Sequence, residues 1–171
     1  DLPVVRAADG VEVTLITGSL QDQQPPAPPP DSWAAQPGSD VAIWHVRLDP
    51  GSRWELPAGP ADIGRVLYHF DGGDLEIADE TVSVNTGAVL NSARAPRLYA
   101  PEGAECLILQ GRPIGEPVAQ HGPFVMNTRA EIEQAFQDYQ RTGFGGWPWT
   151  ADDPVHGHKK ERFEDKQQSD V

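Results

Sequence analysis

The histidines are the side chains with the clearest potential for metal chemistry. The chain has five of them, at His45, His69, His121, His156 and His158. A metal centre built on β-strands needs imidazole and carboxylate ligands that converge from neighbouring strands. Residues two apart on a strand point to the same side, so the spacing H-x-H aims both rings at one point. Only His156 and His158 have that spacing, and they lie in a polar tail ahead of Lys159 and Lys160. The sequence therefore assigns them no metal.

Two other histidines, His45 and His69, are the remaining candidates for a metal site. Both fall in predicted strands, and inside a barrel they could face each other with Cys106 or Glu55 nearby. Buried histidines are more often held by hydrogen bonds to neighbouring groups, so a structural role is the alternative for both. Cys106, which has apolar neighbours, is interpreted as a small core residue.

Motifs for other kinds of catalysis are absent from the sequence. There is no G-x-S-x-G nucleophile elbow and no Cys–His signature. The glycine-rich segments 72–73 and 143–146 lack the Lys-Ser/Thr pair of a phosphate-binding loop. We therefore predict no catalytic and no cofactor-binding residue in this chain.

The charge of the chain argues against two classes of partner. The formal net charge is −13 and the pI is about 4.6. A surface this acidic repels nucleic-acid phosphates and anionic lipids, so we predict no direct nucleic-acid binding and no membrane binding. The five tryptophans are then interpreted as core and inter-domain contacts rather than as a base-stacking platform. The single cysteine permits no internal disulfide and favours a cytoplasmic location.

The spacing of apolar residues predicts a mainly β domain. Short apolar segments alternate with turns such as Asp49-Pro50-Gly51 and Asn85-Thr86-Gly87. Many short strands with Gly- and Pro-rich turns are typical of a sandwich or barrel, and no helical segment interrupts them. The predicted strands are residues 11–16, 41–48, 65–70, 75–77, 81–84, 88–90, 97–99 and 106–110.

A proline-rich segment, residues 19–40, separates the first predicted strand from the second. Residues 25–30 read P-P-A-P-P-P. Proline has no N–H to donate to a neighbouring strand, so the segment is predicted to be a surface loop. A docking motif for proline-recognising domains is the alternative.

One helix, over residues 128–142, is predicted after the strands. Thr128 and Glu131 have the spacing of a capping box, in which each side chain satisfies a free backbone N–H. Apolar residues recur at i, i+3, i+4 and i+7 from Ile132 to Tyr139, which makes one face of the helix apolar. Gly143 is placed to end it. We therefore expect one domain over residues 1–145, followed by a polar tail over residues 146–171 that we expect to be flexible.

Three motifs close the strand series. They read G-R-P-I-G-E-P over residues 111–117, G-P-F-V-M-N-T over 122–128 and E-I-E-Q-A-F over 131–136. Together they resemble the closing signature of the pirin family, and the strand series before them is similar in pattern to that family's second barrel. The signature residues are Gly111, Pro113, Glu116, Pro117, Gly122, Pro123, Phe124, Met126, Asn127, Thr128 and Glu131. We interpret them as structural, with Glu116 and Asn127 serving a turn and a helix cap rather than acid–base catalysis. His121, just before the second motif, is expected to brace the turn into the helix.

The resemblance implies a fold and a distribution of metal. Pirins consist of two facing cupin-type barrels, of which the first holds a non-haem iron through three His and one Glu and the second usually holds none. It therefore implies a cupin-type jelly-roll barrel or sandwich with one C-terminal amphipathic helix. It also implies that the partner is an N-terminal cupin domain of the same protein, with Fe(II) bound there and not in this chain.

Three functions follow as hypotheses. The first is a metal-free second cupin domain that packs on the metal-bearing N-terminal domain and helps to enclose its pocket, which predicts exposed apolar area on this chain. The second is part of an iron-dependent quercetin 2,3-dioxygenase, with this chain as a substrate-side wall. The third is a pirin-like transcriptional co-regulator that binds other proteins. Because a ligand set is missing, we expect structural and binding roles from the chain itself rather than catalysis.

Overall fold

The computed structural model describes residues 2–147 of the 171-residue chain. The chain divides into two units between Gly115 and Glu116. Most of the predicted tail, including His156 and His158, lies outside the described residues. The predicted single domain over residues 1–145 therefore contains the boundary between the two units.

Ten strands form the first unit. They are β1 (Val4–Ala8), β2 (Val11–Thr17), β3 (Ala42–Leu48), β4 (Ser52–Glu55), β5 (Gly64–Gly72), β6 (Leu75–Ile77), β7 (Glu80–Val82), β8 (Thr86–Leu90), β9 (Arg97–Ala100) and β10 (Ala104–Gly111). A six-stranded sheet has the order β1-β2-β3-β10-β5-β8, and a four-stranded sheet has the order β4-β9-β6-β7. All neighbouring strands in both sheets are antiparallel.

The hydrophobic core draws on both sheets. In β2, Val11, Val13 and Leu15 are fully buried while the residues between them are more exposed, as the two-residue period of a strand requires. Leu75 of β6 and Leu98 of β9 supply the core from the four-stranded sheet. Complete burial of a side chain of this size stabilises the fold by about 1.5–3 kcal/mol.

The sequence-based prediction of a mainly β fold is confirmed, and four strands were missed. Three of them are short, since β4 and the two strands of the second unit have three or four residues each. The fourth, β1, precedes the first predicted strand and pairs with β2. The apolar spacing of Val5 and Ala7 was the available signal for it.

The proline-rich segment is a loop, as predicted. Its regular structure is limited to a bridge between Leu20 and Gln23 and a 3₁₀ turn at Trp33–Ala35. Arg112 holds its C-terminal part, because the Arg112 backbone N–H donates to the Ser39 carbonyl at 2.7 Å and its Nε donates to the Gly38 carbonyl at 2.8 Å. In return, Trp33 Nε1 donates to the Arg112 carbonyl at 2.9 Å. This connection over more than 70 residues was not visible in the sequence.

The second unit contains a hairpin and the helix. The hairpin strands are β11 (Ala119–His121) and β12 (Phe124–Met126), joined by Gly122 and Pro123. The helix α1 (Arg129–Thr142) has Thr128 as its N-cap, and Gly143 ends it in the left-handed conformation. The predicted helix and its capping box are confirmed. No helix among residues 2–147 has the length and apolar character needed to cross a membrane.

Candidate functional site

His45 lies on the outward face of the six-stranded sheet. It is in β3, opposite Leu107 of β10. Its Nε2 is 2.8 Å from Oε2 of Glu105, and its ring stacks on Phe70 with 5.8 Å between centroids. About one third of its side chain is exposed. Both contacts keep the ring at the surface.

His69 lies on the inward face of the same sheet. It is only 1% exposed. Its Nδ1 is 3.0 Å from the Val82 carbonyl oxygen, and its Nε2 is 3.0 Å from the Asp71 carbonyl oxygen. Both ring nitrogens therefore face backbone oxygens, and neither faces open space where a metal could bind.

The structure does not bring the two candidate histidines together. His45 is opposite Leu107 and His69 is opposite Cys106, so they align with adjacent residues of β10. Adjacent residues on a strand point to opposite faces, so the two rings lie on opposite sides of the sheet. This corrects the expectation that they could face each other inside a barrel.

The donor set of the first unit does not fit an iron centre. Burial raises the pKa of the Cys106 thiol to about 12, which keeps the sulfur protonated at neutral pH. Glu55, the other suggested neighbour, is exposed on β4. Within residues 2–147 no group of three or more His, Cys, Asp or Glu side chains is arranged to hold a metal ion.

Residues from all three motifs of the signature form the capping network of the helix. Oε2 of Glu131 accepts from the Thr128 N–H at 2.7 Å and from the Asn127 N–H at 3.1 Å. The Thr128 hydroxyl accepts from the Glu131 N–H at 3.2 Å, and Nδ2 of Asn127 donates to Oε2 of Glu116 at 2.5 Å. The hydrogen bond from the Thr128 side chain lowers the pKa of Glu131. These contacts connect Glu116 and Asn127 to the N-terminus of the helix.

Aromatic rings join the hairpin to the helix within the second unit. Phe124 packs edge-on against Phe136 with 4.8 Å between ring centroids. His121 also packs edge-on against Phe136, with 5.5 Å between centroids. Phe124 also contacts Phe144 at 6.0 Å. His121 therefore braces the hairpin against the helix through its ring.

The remaining signature residues have local roles. Gly111 ends β10, where an added Cβ would lie 3.2 Å from Cγ2 of Val41. Pro113 and Pro117 are exposed in the segment after β10, outside any strand. Met126 pairs with Ala119 across the hairpin.

The outward face of the six-stranded sheet carries an apolar surface. We call it the apolar sheet face, and its residues are Ile43, Val66, Tyr68, Phe70, Val89, Leu107 and Leu109. Val66 lies between Leu109 and Val89 on neighbouring strands, and Leu107 is opposite Tyr68. Val89 is 85% exposed, Tyr68 46% and Phe70 45%. Large apolar side chains thus remain accessible on several adjacent strands.

Charged pairs border this face. Nη2 of Arg47 donates to Oε2 of Glu12 at 2.7 Å, and His45 pairs with Glu105.

The sequence carried a signal for the apolar sheet face that the strand prediction did not use. Residues 66–68 and 107–109 are continuous apolar runs, and strands covered on both faces have this composition.

The fold and site define the first unit as a cupin-type domain, and comparisons with known proteins assign the family. The chain is similar to the crystal structure of a quercetin 2,3-dioxygenase from Acinetobacter baumannii, with a TM-score of 0.68 and 27% sequence identity. The match covers 85% of this chain and 48% of the enzyme chain. The family profile described as "Pirin C-terminal cupin domain" matches residues 43–145. The chain belongs to the pirin family.

Two relatives show how much of a pirin this chain represents. A pirin-like protein of Solanum lycopersicum is 60% identical over 144 residues, which cover 80% of this chain and 46% of the relative. A pirin-like protein of Caulobacter vibrioides is 37% identical over 143 residues, which cover 84% and 49%. The chain spans about half the length of the curated relatives it matches.

Proposed function

We propose that this chain is the metal-free second cupin domain of a pirin-family protein, and that it packs on a metal-bearing N-terminal cupin domain and helps to enclose its pocket. The observation that carries the proposal is the apolar sheet face. An apolar centre with aromatic residues and a polar rim is the usual anatomy of a protein interface. Exposed apolar surface of this kind marks interaction sites.

The occupant we propose for the apolar sheet face is the N-terminal domain of the same protein. The matched profile is a C-terminal domain, and the relatives are about twice as long as the matched region. At the rim, Glu12 is paired with Arg47, and Glu105 with His45. The face therefore suits an apolar partner surface and does not need a strongly charged one.

The absence of a fitting donor set supports the metal-free part of the proposal. His69 uses both ring nitrogens on backbone oxygens, and the buried thiol of Cys106 stays protonated. We assign Fe(II) to the N-terminal domain on the basis of the family. This chain would contribute a dry wall to that domain's pocket.

The packing can be tested with two separately produced polypeptides, this chain and the N-terminal cupin domain of the longer protein. Sedimentation velocity would measure their association. We expect Val89→Asp to abolish it, because a carboxylate on β8 would be buried against an apolar partner surface. The matched control is Val84→Asp, a valine that is also exposed but lies in the turn between β7 and β8.

The folded state of both variants can be checked by thermal unfolding, since neither valine belongs to the core. Association of the wild-type and Val84→Asp chains with loss only in Val89→Asp supports the proposal. Equal association of all three, or no association of the wild-type chain, refutes it.

A second function, part of an iron-dependent quercetin 2,3-dioxygenase, is favoured by the similarity to the Acinetobacter baumannii enzyme. We expect the longer protein to consume oxygen with quercetin and Fe(II), and this chain alone to consume none. If this chain forms a wall of the pocket, Val89→Asp in the longer protein lowers oxygen uptake without changing iron content. A longer protein without oxygen uptake contradicts this second function and leaves the packing proposal intact.

A further inference from the structure

The first unit contains a cavity at one end of the six-stranded sheet, where β2 and β10 end and β3 and β5 begin. Its volume is about 390 Å³. Leu20, Val41 and Trp44 line it with apolar surface, and Arg65 and Gln110 line it with polar groups. The cavity is separate from the apolar sheet face.

Arg65 is buried without an anionic partner. It is 2% exposed. Its Nε donates to Oε1 of Gln110 at 2.9 Å, and its Nη1 donates to the Pro57 carbonyl at 2.7 Å. Both acceptors are neutral, and no carboxylate in the described part of the chain forms an ion pair with this guanidinium. Burying a charge without a counter-charge is costly.

The third nitrogen of the guanidinium, Nη2, is available to a ligand. It makes no hydrogen bond within residues 2–147. Among residues 2–147 the only fully buried polar side-chain atom without a hydrogen-bond partner is Ser52 Oγ. Because Nη2 of Arg65 also has no partner, it is not fully buried and keeps some accessible surface at the cavity. Gly59 forms the adjacent wall, and a Cβ there would lie 2.9 Å from Nη2. The bare backbone leaves the approach open.

The other charged group on the cavity wall is already paired. Asp40 lines the cavity, and its Oδ2 accepts from Nη2 of Arg112 at 2.8 Å. Arg112 also pairs with Asp62 through Nη1, so its positive charge is shared between two carboxylates. The cavity lining therefore carries one carboxylate that is held by an ion pair, Asp40, and one guanidinium that has no ion-pair partner among the described residues, Arg65.

Burial also lowers the pKa of Arg65 from its ordinary value, which agrees with a guanidinium that lacks a stabilising anion. An arginine remains protonated at neutral pH in spite of such a shift. A bound anion would restore the missing counter-charge.

We propose that this cavity binds a small organic carboxylate, which accepts a hydrogen bond from Nη2 of Arg65 while its apolar part packs on Leu20 and Trp44. Charge-assisted hydrogen bonds between guanidinium and carboxylate are among the strongest in proteins. The apolar lining favours an anion with an aliphatic or aromatic body over an inorganic one. The site does not depend on the proposed domain packing.

The test uses the full 171-residue chain and two probes of the same shape, benzoate and its neutral analogue benzamide. NMR would follow the Arg65 Nε–H and the Trp44 Nε1–H during each titration. We expect benzoate to give saturable shifts of both signals and to bind at least about tenfold more tightly than benzamide, as expected for a charge-assisted hydrogen bond.

Two variants and one control isolate Arg65. Arg65→Met removes the charge with a side chain that suits apolar surroundings, and Gln110→Glu supplies an internal carboxylate to the guanidinium. We expect each to weaken benzoate binding by about tenfold or more. Arg94→Met, which removes an exposed arginine elsewhere, should bind benzoate like the wild type.

Gln110→Glu keeps the test decisive if Arg65→Met does not fold. Equal binding of benzoate and benzamide, unchanged binding in the variants, or no saturable shift up to about 30 mM benzoate would overturn the proposal.

Discussion

The six-stranded sheet has two faces that are both apolar, but only one is packed into the core. Ile108 and Leu67 point inward and are fully buried, whereas their neighbours Leu107 and Tyr68 point outward and keep accessible surface. Side chains of the same chemical class thus have different roles one residue apart. The inward side chains hold the first unit together, and we propose that the outward ones hold it to another domain.

The largest expected contrast between the faces is in stability. Ile108→Ala should lower the free energy of unfolding by about 3 kcal/mol, because it removes buried contacts and leaves a cavity. Leu107→Ala, its neighbour on β10, should cost less than about 1 kcal/mol, because its side chain is only partly buried. Urea unfolding curves of the two variants measure the difference. Equal losses would mean that the outward face is as tightly packed as the core.

The two histidines extend the contrast to polar groups. His69→Leu should lower the free energy of unfolding by about 1–3 kcal/mol, since the hydrogen bond from the ring to the Val82 or Asp71 carbonyl is lost. His45→Leu should change the stability by less than about 1 kcal/mol, because His45 is partly exposed and pairs with a partly exposed carboxylate. Thermal unfolding compares the two variants. A larger loss for His45→Leu would contradict the assignment of faces.

Cys106 offers a pH-dependent test of the inward face. Its thiol has a pKa of about 12 in the folded chain, above its ordinary value of 9.0. Between these values the unfolded chain loses a proton that the folded chain retains, so stability falls as pH rises.

When the pH rises from about 8 to 10, the free energy of unfolding of the wild type should therefore fall by roughly 1 kcal/mol more than that of Cys106→Ala. Other groups titrate in both proteins and cancel in the comparison. Urea unfolding at a series of pH values checks it. Parallel pH profiles would show that the thiol is not shielded.

The smallest expected effect is on the rim of the apolar sheet face. A double-mutant cycle with His45→Ala and Glu105→Ala should give a coupling of about 0.2–1 kcal/mol, since both side chains are about one third exposed. In the longer protein the coupling should increase if the face is covered there, because burial removes solvent screening. An unchanged coupling would argue against coverage of this part of the rim.

Much of the fold could be predicted because its signals are local. The capping box at Thr128 and Glu131, the helix end at Gly143 and the alternation in β2 depend on residues close in the sequence. The family signature extended these signals to the cupin-type fold. Strand β4 was missed because Trp54 alone is apolar among its alternating polar neighbours.

The candidate sites could be predicted only in part, because they join distant residues. Arg65 meets Gln110 across 45 positions, and His45 meets Glu105 across 60. Neither pair has a motif, and Arg65 was not singled out from the sequence. Its unpaired charge becomes visible only when the surrounding cavity is known.

By itself the sequence determined the local elements: where turns occur, where the helix begins and ends, and which residues are apolar enough for a core. Only the tertiary structure decided which side of each strand faces inward and which distant groups meet there. The physical reason is the two-residue period of a strand, since a shift of one residue exchanges its two faces. Where both faces are apolar, as in β5 and β10, the sheet packed against the strand makes that choice.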